Sequence, residues 1–242
     1  MKRRTLLKQS ALGAAAAFLS RTGGAVLTGA DAGVFPVRAF GARGKGKTLD
    51  TAAINAAIAA AAAAGGGTVL FTAGNYLSFT VHLRSYVRLQ FEPGATLIAG
   101  TPAHAAAGTD SQGFDVIEPQ NEDIENFQDF GHNHWHNSLL WGENLTQVSI
   151  VGPGLLSGHG MPRGGGVGEE MPHSANKVLA LKNCHNVLLR DFSILEAAHF
   201  GVLATAVDNL TIDNLHIDTN RDGIDIDSCR NVHIVNCTVN AP

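Results

Sequence analysis

The stretch from Thr219 to Val232 reads Thr-Asn-Arg-Asp-Gly-Ile-Asp-Ile-Asp-Ser-Cys-Arg-Asn-Val and packs three carboxylates, Asp222, Asp225 and Asp227, into six residues of an otherwise apolar, repetitive region. Closely spaced carboxylates suit general acid–base chemistry, in which one group donates a proton and another takes one from water. Gly223 permits a sharp bend or a close backbone approach beside Asp222. Ile224 and Ile226 alternate with Asp225 and Asp227, so a strand here turns the isoleucines toward a core and both aspartates to the other face. Asp222 is the candidate for catalysis; Asp225 and Asp227 are candidates for structural or secondary support.

Two other stretches carry chemically suggestive residues. His132-Asn-His134-Trp-His136 invites a metal reading, but strand alternation aims three histidines one way without making them converge, so packed or solvated histidines over a substrate face are expected. Gly41-Ala-Arg-Gly-Lys-Gly-Lys-Thr48 satisfies the phosphate-loop pattern letter for letter. The context is wrong for nucleotide binding, because the preceding run is short and interrupted by Pro36, and the better helix cap, Asp50 or Thr51, lies beyond Thr48.

The elements that must position these residues follow from composition and period. With 242 residues, 28 Gly, 45% hydrophobic and 16% charged residues, the chain fits one tightly turned β domain. Lys2-Arg-Arg-Thr-Leu-Leu-Lys8, an apolar Ala11–Leu19 run and Ala30-Asp-Ala32 together resemble a twin-arginine export signal over 1–32 with its cleavage site. Export to the periplasm or the extracellular space is therefore expected, without membrane insertion. Removing 1–32 takes away five basic residues and one acidic one, leaving 12 Lys+Arg against 20 Asp+Glu and a net charge near −8. That balance argues against a nucleic-acid partner. Three cysteines, at 184, 229 and 237, are too few and too uneven for a disulfide framework.

In chain order, Phe35–Phe40 reads as a short edge strand, and Thr51–Ala64 as a helix ended by Gly65-Gly-Gly67. Short strands are expected over 68–71, 76–83, 87–91 and 95–98, and 101–137 is a long polar, acidic loop. Beyond it a repeat emerges, anchored on Asn144, Asn186, Asn209 and Asn231, with gaps of 42, 23 and 22 residues, the first close to two steps of 21. A period of 21–23 built of β-branched alternation and Asn/Gly turns specifies a parallel β-solenoid over 33–242. Cys184 and Cys229 fall at equivalent places two coils apart, about 10 Å at strand spacing and too far for a disulfide.

The run Phe35–Ala42, Gly46–Ile54, Ala64–Val69, Gly94–Leu97, Asn144–Gly154 and Ser157–Gly160 resembles glycoside hydrolase family 28, the polygalacturonases and related pectin-backbone hydrolases. The resemblance implies an all-β, right-handed parallel β-helix with a short N-terminal capping α-helix. It also implies hydrolysis of a pectic polysaccharide by an inverting two-carboxylate mechanism, with no cofactor and no metal, in a monomer. Asn220-Arg-Asp-Gly-Ile-Asp225 resembles the family's Asn-Thr-Asp-Gly motif, with Arg221 as a departure in the middle position. By that likeness Asp222 helps activate water and Asn220 supports the site. Arg221 is a candidate to hold a substrate carboxylate, and Asp225 a supporting residue.

The family's next motifs, an Asp-Asp pair holding the general acid, a Gly-His-Gly and an Arg-x-Lys, are not found in place. Gly158-His-Gly160 spells one of them but precedes Asp222, so the role is not carried to His159. One coil beyond Asp222 is position 244, past Pro242, so a fragment lacking the general acid is expected, with an Asp-Asp pair near 244 in a longer protein. One coil back, a step of 23 places His199 beneath Asp222, as a substrate-binding or a packed residue. A non-catalytic carbohydrate-binding or structural β-helix and a polysaccharide lyase stand as alternatives to the hydrolase.

Overall fold

Alternating apolar residues in short runs, each closed by a residue able to turn, cannot bury a face alone and do so by stacking. The computed structural model describes residues 33–104, 113–119, 130–159, 161, 176–219 and 221–241. The expected leader 1–32, Asn220, Gly160 and much of the acidic stretch within 101–137 lie outside them. The fold is a right-handed parallel β-helix with one α-helix at its first end.

Three parallel sheets form its sides. Sheet A holds Val34–Pro36, Gly67–Phe71, Val87–Phe91, Thr146–Val151, His185–Arg190, Asp208–Asp213 and Arg230–Val235. Sheet B holds Lys45–Leu49, Gly74–Ser78, Ala95–Ala99, Leu155–Ser157, Ser193–Leu195, His216–Asp218 and Thr238–Asn240. Sheet C holds Val81–His82, Ser138–Glu143, Lys177–Lys182, Phe200–Thr205 and Asp222–Asp227. Register stacks like on like: Val69, Leu89, Ile150, Leu189 and Ile212 form one inward column, each at most 1% exposed. Burying each such side chain contributes about 1.5–3 kcal/mol.

Left-handed backbone makes the corners. Asn144, Asn183, Ala206 and Ser228 open the C-to-A turns, and Asp191, Asn214 and Asn236 open the A-to-B turns, all at φ between 51° and 66°. A further left-handed column, Gln147, Asn186, Asn209 and Asn231, stands at the start of sheet A. Asparagine tolerates this conformation because its short side chain bonds locally. Here Asn209 Nδ2 donates to Asn186 Oδ1 at 2.9 Å and Asn231 Nδ2 to Asn209 Oδ1 at 3.0 Å. The three cysteines are free, and Val207 occupies the coil between Cys184 and Cys229. Burial pushes the Cys184 thiol above its ordinary range.

Three expectations need correction. The strand expected over Phe35–Phe40 stops at Pro36; Val37–Phe40 is a 3-10 turn that buries Val37 and ends on left-handed Gly41. The run 76–83 is two strands, Gly74–Ser78 and Val81–His82, on different sheets. The 42-residue gap is one coil, not two: Thr146 pairs directly with His185, and the extra chain, 158–176, leaves the solenoid at the B-to-C corner.

The helix, Thr51–Ala63, buries Ile54, Ala57, Ile58 and Ala61 against the first coils. Its Asn55 side chain bonds Thr80 O and His82 N, both at 2.9 Å. Asp50 precedes it, and the Asp50 carboxylate, 2% exposed, accepts the Arg43 and Gly44 amides at 2.6 and 2.9 Å. The phosphate-like loop thus spends these two amides on an anion of its own chain. Asp50→Ala leaves them unsatisfied, and urea unfolding is expected to show a loss of about 2 kcal/mol, or a Tm drop of roughly 4–8 °C.

Candidate active site

From the second coil onward two of the three corners are short, two to four residues, whereas the B-to-C corner carries 100–137, 158–176, 196–199 and 219–221 in successive coils. Excursions from a rigid scaffold are where binding and catalytic groups collect. The candidate residues lie at this corner and on the outward face of sheet C beside it.

A backbone ladder sets the corner. Asn176 N donates to Asn137 O at 3.1 Å, His199 N to Asn176 O at 2.9 Å, and Asp222 N to His199 O at 3.1 Å. Beneath it, fully buried Lys177 gives its Nζ to Asn176 Oδ1 at 2.6 Å and to Asn137 Oδ1 at 3.0 Å. A buried ammonium is tolerated only with oxygen partners, and these two asparagines supply them.

Asp222 opens the strand Asp222–Asp227 with its side chain 51% exposed. Its direct partner in the coil below is Phe200, not His199 as the 23-residue step predicts, because this column steps by 22. His199 is nevertheless close: its Nε2 lies 4.0 Å from Asp222 Oδ2, and its ring stacks on Phe200 at 4.2 Å. Arg221 Nη1 lies 3.3 Å from His199 Nδ1. A guanidinium can only donate, so Nδ1 accepts, and the ring proton sits on Nε2, facing Asp222. Arg221, His199 and Asp222 therefore form one polar row, with Asn220 outside the described residues.

Gly223 owes its identity to space. Its φ is not left-handed, but a Cβ there would come within 2.4 Å of Val239 Cγ1. The alternation holds as expected, with Ile224 and Ile226 packed against the core and Asp225 on the opposite face.

The partner of Asp225 comes from 93 residues earlier in the chain. His132 Nε2 meets Asp225 Oδ2 at 2.8 Å, and the His132 ring packs edge-on to Phe200 at 4.8 Å. Gly131 allows the approach, since a Cβ there would lie 2.6 Å from Phe200 Cε2. The three histidines of 132–136 do not converge: His134 is buried, and His136 reaches Glu143 Oε2 at 3.2 Å. His132, Asp225 and Asp227 each offer a ligand atom within 4.8 Å of the others, a grouping that one divalent cation could share.

Further along the same face Trp135 Nε1 donates to Thr205 Oγ1 at 3.0 Å, and Lys182 Nζ sits 3.9 Å over the Trp135 ring. His136 lies against Trp141 with ring centroids 3.9 Å apart. Segment 130–137 is thus seated on sheet C beside the Asp222 row. His159 pairs with Glu196 at 2.6 Å in the exposed part of the corner, away from these contacts.

Asp115 anchors the second visible piece of the long excursion. Burial alone would raise its carboxyl, but hydrogen bonds from His82 and Trp141, at 2.7 and 2.8 Å, and the charges of His82 and His136 outweigh it and hold the group below its usual range.

Fold and site define a parallel β-helix with a carboxylate-bearing, loop-built corner. The chain belongs to glycosyl hydrolases family 28, whose model matches residues 110–241. Residues 34–137 match a second model, rhamnogalacturonase A/epimerase, pectate lyase-like. No curated protein matches in sequence. Among solved structures, the family 28 exopolygalacturonase of Yersinia enterocolitica superposes with a TM-score of 0.64 at 22% identity, over 85% of this chain and 43% of its own. The hyperthermoactive exopolygalacturonase of Thermotoga maritima gives 0.66 at 21%, over 86% and 52%. A Parabacteroides merdae protein gives 0.68 at 21%, over 86% and 88%. The chain thus spans about half the length of the two exopolygalacturonases.

A depressed carboxyl stabilises the fold above its unfolded pKa, and that stabilisation is lost as the pH falls through the folded value. Asp115→Asn is expected to lower stability at pH 7 by on the order of 1 kcal/mol or less, given partial solvent screening. In thermal melts the gap to the parent protein should close as the pH drops below about 4.

Proposed function

We propose that the protein hydrolyses glycosidic bonds in galacturonan or a related pectic backbone, with inversion at the anomeric carbon. One observation supports this above others. In a family 28 chain, the carboxylate matching the family's water-activating residue stands accessible at the loop-built corner, in a row with a cation and an imidazole.

In this reading the Asp222 carboxylate takes a proton from water as its oxygen attacks the anomeric carbon. The glycosidic C–O bond breaks, and its oxygen leaves with a proton from a second carboxyl, 6.5–9.5 Å away in inverting enzymes generally. Strand spacing plus side-chain reach spans such a gap between a second carboxyl and Asp222. His199 faces Asp222, with Nε2 4.0 Å from its carboxylate; Asn220 supports it, and Arg221 holds the carboxylate of a uronate unit. Guanidinium–carboxylate recognition is bidentate and survives in water where a lone lysine pairs weakly. A polymer of this kind lies outside the cell, which fits the twin-arginine-type leader and an exported, monomeric enzyme.

The protein is expected to release reducing ends from polygalacturonate, with the anomer opposite to the substrate's appearing first by NMR. Asp222→Asn should cut that rate by at least about 100-fold. Products with an ultraviolet-absorbing 4,5-unsaturated end, or an Asp222→Asn protein at full rate, exclude this function. Arg221→Ala should act mainly on KM, and more on polygalacturonate than on its methyl ester.

A further inference from the structure

The left-handed column at the start of sheet A changes character in the early coils. Where later coils carry Asn186, Asn209 and Asn231, the earlier ones carry Gly66, Tyr86 and Gln147. Tyr86 holds φ 64° with its side chain out, 58% exposed. Its backbone is fixed in that state, with Tyr86 N donating to Thr146 O at 3.0 Å and Gly67 N to Tyr86 O at 3.1 Å. Gly66 makes room, since a Cβ there would lie 2.7 Å from Tyr86 O. A bulky aromatic in left-handed backbone is strained, and such outliers cluster at ligand-binding positions.

The ring stands at one end of an open groove of about 460 Å³ on the outer face of sheet A. Arg88 lines it, exposed, with no hydrogen bond or ion pair to any other described residue. Register sets Thr68 on one side of Arg88 and Ser149 on the other, one strand spacing away each. Gln147 lines the groove beside them. The volume falls in the range of small-ligand sites. An aromatic side chain, one cation without a partner among the described residues and flanking hydroxyls match a sugar ring that carries a carboxylate.

We propose that this groove is a second binding site, for a uronate unit of an acidic polysaccharide. Arg88 takes the carboxylate, Tyr86 stacks on the ring, and Thr68 and Ser149 bond its hydroxyls. The anionic half of the proposal stands on Arg88; the saccharide half rests on the pectic reading above. Sheet A is not the side that carries Asp222, so the groove holds the polymer apart from the cleavage point.

Isothermal titration of the full chain carrying Asp222→Asn with trigalacturonate tests it. A class of sites is expected that Arg88→Ala abolishes and that Tyr86→Asn, which suits the left-handed backbone, weakens at least tenfold. Raising the salt should weaken it, and a neutral glucose trimer should not fill it. Binding unchanged by Arg88→Ala, or equal filling by the neutral trimer, overturns the proposal. Reducing-end release by the protein with Asp222 intact reports separately on the reaction. If Arg88→Ala removes the site but no pectic polymer is cut, the hydrolase reading fails and the groove stands. Hydrolysis alongside unaltered titration curves sinks the groove alone.

Discussion

Everything in this molecule depends on the parallel backbone ladder that joins each coil to the next. Once a strand's N–H and C=O groups are committed to the neighbours above and below, register is fixed, because one slipped residue would turn core side chains outward. Register then makes columns. An isoleucine must sit on a leucine, and a left-handed turn on a left-handed turn. The corner residues follow from this: Asn183, Ala206 and Ser228 share one backbone state because the ladder demands it, although only asparagine adopts it readily.

The site inherits its precision from the same ladder. Asp222 is placed by a hydrogen bond from its own amide to His199, and His199 by one to Asn176. Those bonds leave the Asp222 carboxylate accessible while its backbone is held. Segment 130–137 adds a second kind of constraint, contact from outside: His132 braces Asp225, and Gly131 lets the segment lie against Phe200. A strand fixed from below and braced from the side presents its first residue without needing a deep pocket around it.

The period of 22 or 23 was legible because each coil repeats both its apolar alternation and its corner asparagines, as in Asn209 and Asn231. The capping helix is legible over Thr51–Ala64, one residue longer than the Thr51–Ala63 that forms, through its alanine-rich run and the three glycines after it. The failures have physical reasons. Asn144 looked like the partner of Asn186, but in register it aligns with Asn183, since two different columns both favour asparagine. His199 falls one residue off the Asp222 column because steps of 22 and 23 mix, and one residue changes which side chain is stacked. The His132–Asp225 pair could not be read at all, since nothing local to either residue encodes a contact across 93 positions. In the phosphate-like loop the Asp50 carboxylate accepts the Arg43 and Gly44 amides, a contact that the sequence pattern does not carry.

The uneven corner has an evolutionary consequence. Both ends of each B-to-C excursion are pinned by strands that already pair, so lengthening it disturbs no register. Loop-closure entropy grows only with the logarithm of length, so an excursion about ten times longer than 196–199 costs only about 2 kcal/mol more. Insertions and deletions there can be sampled almost freely, because the strands on either side keep their pairing. A lineage built on this scaffold can exchange what it grips by rewriting one edge, and leave the spine that folds it untouched.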